Sequence, residues 1–158
     1  MYQRILVPID GSSTSNRGLD EAIKLAKLTG ASLRLIHVID VLSFATGFEV
    51  YAAYANDVIP RIKEAGKQVL EQGRIRVEAN GVKVDSLLFD SLVAPVSDTV
   101  VEQAKAWGAD LIVIGTHGRR GVGRFLLGSD AEQIMRIAPV PVLLVRAPEA
   151  VGQTETSV

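Results

Sequence analysis

Short apolar runs alternate along this chain with stretches of helical period, and three times a glycine stands where a helix ends and a strand begins. Gly30, Gly81 and Gly108 each occupy such a junction, the place where a helix closes on a left-handed residue. Apolar runs and periodicity predict strands near residues 4–10, 32–39, 82–89, 110–114 and 141–146. Leu19, Ala22, Ile23 and Ala26 share one helical face after the first strand, and Val96, Val100, Ala104 and Trp107 share another before the fourth. Pro95 suits the first turn of that later helix. Ile62, Gly66, Val69, Gly73 and Val77 fall on one face of a further helix, which its two glycines weaken by about 1 kcal/mol each. The runs near 4–10 and 110–114 are almost wholly apolar, as suits parallel strands covered on both faces. Right-handed crossovers between them make an open, doubly wound α/β sheet.

The 158 residues fit one domain with a proper core, and 47% hydrophobic against 22% charged residues is the balance of a compact chain. A formal net charge of -1 argues against duplex nucleic acid or an anionic membrane as the main partner. Cysteine is absent, which removes disulfides and thiolate chemistry, and His37 and His117 are the only histidines. Met1 to Val7 runs into Pro8 and Asp10 too soon for a signal-peptide core. No apolar run approaches the roughly 20 residues that span a bilayer, so a cytoplasmic protein is expected.

In an open sheet of this kind, ligands lie beyond the carboxyl ends of the strands, where the winding reverses. Two segments meet there: Pro8-Ile9-Asp10-Gly11-Ser12, and Gly115-Thr116-His117-Gly118 with nine residues leading to Gly128-Ser129. The second lies between a strand and the helical stretch Asp130–Ile137. Gly115 and Gly118 let a ligand approach the backbone, and the free N–H groups at the start of the helix favour an anion such as phosphate. Arg119, Arg120 and Arg124, with no acid before Asp130, add a local positive field. Standard phosphate signatures fail. No lysine occurs from Gly115 to Ser129, Leu126 stands where a dinucleotide fingerprint needs its third glycine, and no serine lies between paired glycines.

The spacing Gly115-x2-Gly118-x9-Gly128-Ser129 resembles the nucleotide-binding pattern of the universal stress protein family. Ile5 to Ser12 is similar to that family's opening strand and loop, His37-Val38 to the end of its second strand, and Val140 to Arg146 to its closing strand. The likeness covers about residues 2–146. It implies an adenine nucleotide alpha hydrolase-like fold: five parallel strands in the order 3-2-1-4-5 with helices on both faces, over a domain of residues 1–147 followed by a disordered tail at 148–158. It also implies an ATP site, with magnesium as an optional companion. Asp10 would contact the ribose, with Pro8, Ile9 and the backbone of Val38 around the adenine. Gly115, Gly118 and Arg119 would approach ribose and phosphates, and Gly128 and Ser129 would hold the outer phosphates. Members of the family pair as homodimers through the last strand, here 141–146.

Several residues have two readings. Ser129 and Glu132 have the spacing of a capping box, which needs no ligand. Asp10 could simply accept from the turn that follows it. Asp130, where the family commonly has a small neutral residue, either competes with a phosphate for helix N–H groups or helps to hold magnesium. His117 reads as an exposed loop residue and His37 as a strand residue with a satisfied ring. Phe44, Phe48, Tyr51 and Tyr54 are core aromatics at a helix start or a flap over the site. A nucleotide-responsive sensor or adaptor is the leading expectation; a slow ATPase or phosphotransfer protein, and a nucleotide-free interaction protein, are the alternatives.

Overall fold

The computed structural model describes residues 1–40, 57–91, 94–116 and 127–146. Within them the chain runs β1 (Arg4–Pro8), α1 (Ser13–Thr29), β2 (Ser32–Asp40), α2 (Val58–Ala79), β3 (Val84–Ser91), α3 (Val96–Trp107), β4 (Leu111–Gly115), α4 (Ser129–Ile137) and β5 (Val142–Val145). The strands form a single parallel sheet in the order β3-β2-β1-β4-β5. This is the expected topology, and the winding reverses between β1 and β4. The anticipated disordered tail and the aromatic stretch through Tyr54 lie outside the described residues.

Two cores cover the sheet. Ile5, Val7, Leu33, Leu35, Leu111 and Val113 point toward α1 and α2, while Leu6, Ile36, Ile112 and Ile114 point toward α3 and α4. Alternate residues of each strand are thus apolar on opposite faces, which is why β1 and β4 read as unbroken apolar runs. Gly30 and Gly108 close α1 and α3 with φ of 74° and 67°. Pro95 is the N-cap of α3, one residue earlier than a first-turn proline, and its carbonyl accepts from the Asp98 and Thr99 N–H groups.

The buried face of α2 is Gly66, Leu70, Gly73 and Val77. A methyl group at Gly73 would stand 2.9 Å from both Ile9 Cδ1 and Leu35 Cδ1. The glycines that weaken this helix locally therefore let it lie close on the sheet. No described helix is long and apolar enough to cross a membrane.

Candidate functional site

The carboxyl end of β1 is where the sheet opens. Successive residues of a strand direct their N–H and C=O groups to opposite neighbours. The Arg4 carbonyl accepts from the Asp110 N–H on the β4 side, and the Ile9 N–H donates to the Ile36 carbonyl on the β2 side, at 2.9 and 2.8 Å. By that alternation Pro8 faces β4, and it has no N–H to give. The β1–β4 register ends at Leu6↔Ile112, whereas β1 follows β2 as far as Pro8↔Ile36. A proline that is anomalous inside a central strand thus stands where the two strands part.

Beyond Pro8 the chain turns tightly into α1. One Asp10 carboxylate oxygen accepts from the Ser12 N–H at 2.8 Å, the Asp10 N–H donates to Ser15 Oγ at 3.0 Å, and Ser12 Oγ caps the helix through the Ser15 N–H. The turn-forming reading of Asp10 is therefore correct for that oxygen. Ile9 puts its side chain into the core under α1 and α2, so only its backbone belongs to the rim. His37 is buried, and its Nδ1–H donates to the Ile9 carbonyl at 2.7 Å; it is the satisfied strand histidine expected.

The second turn abuts the first. A Cβ on Gly115 would lie 2.6 Å from the Thr14 carbonyl oxygen and 3.0 Å from the Ser15 nitrogen, and one on Gly18 would lie 3.1 Å from the Gly115 nitrogen. Gly115 is thus required by the packing of α1 on β4, a reason distinct from room for a ligand. Thr116, buried beside it, donates its N–H to the Val145 carbonyl, and its own carbonyl accepts from the Gly128 N–H at 2.7 Å. That bond brings both ends of the 117–127 segment together at the first turn of α4. An unbroken series of contacts links the Ser12 cap, Gly115, Thr116 and Gly128.

The start of α4 departs from the capping box. Gly128 is the N-cap, its carbonyl accepting from the Glu132 N–H at 2.9 Å, and Ser129 is the first helical residue. Ser129 sits one position too late to cap the helix with its hydroxyl, and Glu132 is one position too late for the reciprocal bond. Asp130 and Glu132 place two carboxylates in this first turn. Gly118 and Arg119, with His117, Arg120 and Arg124, lie outside the described residues.

An open depression of about 570 Å3 occupies the opposite rim, at the amino ends of the strands, and is lined in part by Arg4, Lys83, Asp85 and Trp107. Asp85 and Arg4 both have partners there. Arg34 forms two hydrogen bonds with Asp85, at 2.7 and 2.6 Å, and its guanidinium lies 4.6 Å from the Trp107 ring centre. The bonds to Asp85 raise the Arg34 pKa above its ordinary value. Arg4 donates to the Trp107 carbonyl. Doubly wound sheets bind at the other end, and there the turns described above converge.

The profile of the universal stress protein family matches residues 1–146. The chain belongs to the universal stress protein family. It is 35% identical to Universal stress protein MJ0531 of Methanocaldococcus jannaschii over 94% of this chain and 85% of that protein. The structure of hypothetical protein MJ0577 superposes with a TM-score of 0.81 at 27% identity, covering 95% of this chain and 99% of that one. A universal stress protein in complex with cAMP superposes with a TM-score of 0.64 at 25% identity, covering 92% and 97%.

Gly115→Ala should lower stability by about 2 kcal/mol or more, because the new methyl meets backbone that cannot rotate away. Urea denaturation of the purified variant measures this, and an unchanged midpoint would refute the close packing of α1 on β4.

Proposed function

We propose that this universal stress protein binds an adenine nucleotide, ATP with magnesium foremost, across the β1 and β4 turns, and works as a nucleotide-responsive sensor or adaptor. The observation that carries the reading is the contact series joining the Pro8–Ser12 turn to Gly128 at the point where β1 and β4 separate. Support also comes from a family member of the same fold in complex with cAMP. The groups present suit the ligand. The first N–H groups of α4 favour an anion, so that Gly128 and Ser129 would hold the outer phosphates and Gly115 would face the ribose; the family pattern adds Gly118 and Arg119 to the ribose and phosphate contacts.

In this reading the Asp10 carboxylate, which accepts from the Ser12 N–H, takes the ribose hydroxyls. Val38 directs its N–H and C=O to the side of β2 that β1 vacates after Pro8. Those two groups, a donor beside an acceptor, complement N1 and the exocyclic amine of adenine, with Pro8 and the Ile9 backbone nearby. Guanine presents the reverse pattern. Among the described residues no group of three His, Cys, Asp or Glu could hold a metal ion. In this reading magnesium arrives with the phosphates, within reach of Asp130.

Titration calorimetry should show ATP or AMP binding about tenfold or more tightly than the guanine equivalents, since mispaired buried polar groups are costly. Asp10→Asn should weaken binding about tenfold while leaving the Ser12 turn intact, and Gly118→Val should abolish it. Equal affinity for adenine and guanine, or no effect of either substitution, would refute this site.

The same reading makes the protein a homodimer through β5. Pro141 and Val145 give their carbonyls to β4, so Val142 and Leu144 direct N–H and C=O off the outer edge, a ready template for a second strand. Leu144→Pro removes one outward donor without touching the ladder to β4. Sedimentation should then report monomer for the variant and dimer for the parent; two identical profiles would contradict the interface.

A further inference from the structure

The ring of His37 lies where the pairing of β1 with β2 ends. The Ile9 N–H donates to the Ile36 carbonyl, and a regular parallel ladder would continue with the Ile9 carbonyl accepting from the Val38 N–H. The pairing stops instead at Pro8↔Ile36. The Ile9 carbonyl accepts from His37 Nδ1–H at 2.7 Å. A carbonyl can only accept, so Nδ1 carries the proton.

The ring is held in that position from behind. His37 is 8% exposed and lies beneath α2 at Gly66, where a methyl group would stand 2.7 Å from Cδ2 and 3.2 Å from Nε2. Leu88 is the other neighbour of that missing side chain, 3.0 Å away. The backbone of α2 therefore comes down against the Cδ2–Nε2 edge of the imidazole, while Nδ1 on the other edge meets the Ile9 carbonyl.

We propose that His37 is a positioning residue: by taking the Ile9 carbonyl it ends the β1–β2 ladder one step early, turns the chain toward Asp10 and keeps the Val38 amide out of the sheet for a ligand. The proposal rests on the adenine-nucleotide reading for the identity of that ligand. The effect on the strand end requires no ligand. Without the ring's donor, Ile9 and Val38 are left facing each other as ordinary ladder partners, and the sheet closes over the position that the purine edge would occupy.

The test compares His37→Leu, which removes the donor, with His37→Asn, whose side-chain amide N–H leaves the same Cγ in the same place as Nδ1. Two readouts are taken, amide hydrogen exchange at Val38 in the ligand-free protein and AMP affinity by calorimetry. In His37→Leu the Val38 amide should exchange about tenfold more slowly and AMP should bind about tenfold more weakly, as for one buried hydrogen bond redirected. His37→Asn should match the parent in both. Should His37→Leu fail to fold, His37→Phe keeps a flat ring without the donor and carries the same expectation.

Unchanged Val38 exchange in the donor-less variant, a Val38 amide already protected in the parent, or His37→Asn behaving like His37→Leu overturns the proposal. If Val38 exchange changes as expected while the parent binds no adenine nucleotide, the nucleotide reading fails and the role of the ring at the strand end stands.

Discussion

β1 has a neighbour on each side and releases both within three residues. It leaves β4 after Leu6, where Pro8 has no N–H to continue the ladder, and it leaves β2 after Pro8, where the His37 ring takes the carbonyl that the next rung would use. Each release has its own local chemical cause, and both occur at the point where the winding of the sheet reverses. An ordinary ladder continued through Asp10 would have produced the same fold with a closed carboxyl edge. The opening at that edge depends on a proline nitrogen that carries no hydrogen and on an imidazole.

Around this opening the packing is tight. Gly18 and Gly115 let α1 rest against the end of β4, and Gly66 and Gly73 let α2 rest on β2 and on Ile9. The turn after β1 is tied down by Asp10, Ser12 and Ser15, and the glycine segment after β4 is tied at its two ends by the bond from the Gly128 N–H to the Thr116 carbonyl. At the opposite end of the sheet Arg34 is paired with Asp85.

β1 and β4 were legible because both of their faces are buried, so that composition alone marks them, and the helix ends at Gly30 and Gly108 were legible because a left-handed closing residue is a backbone requirement. Pro8 was legible as an anomaly that pointed to the strand end. What escaped the one-dimensional reading depends on partners far apart in the chain. Ser129 and Glu132 have capping-box spacing, yet Gly128, whose N–H is bound by the Thr116 carbonyl, is the N-cap, and the helix begins one residue earlier than the box requires. Gly66 and Gly73 looked like weak points in a helix; their seven-residue spacing on one face was the available sign of a close approach to the sheet. The pairing of His37 with Ile9, and the stacking of Arg34 on Trp107, left no mark in local sequence.

Amide chemical shifts recorded during titration with AMP test most directly whether the two turns act as one site at the carboxyl end of the sheet. The shifts should cluster at Asp10 to Ser12, Val38 and Gly128 to Asp130, with Arg4, Lys83 and the Trp107 indole unmoved. Shifts gathered at the Arg4–Trp107 rim, or confined to only one of the two turns, would contradict it.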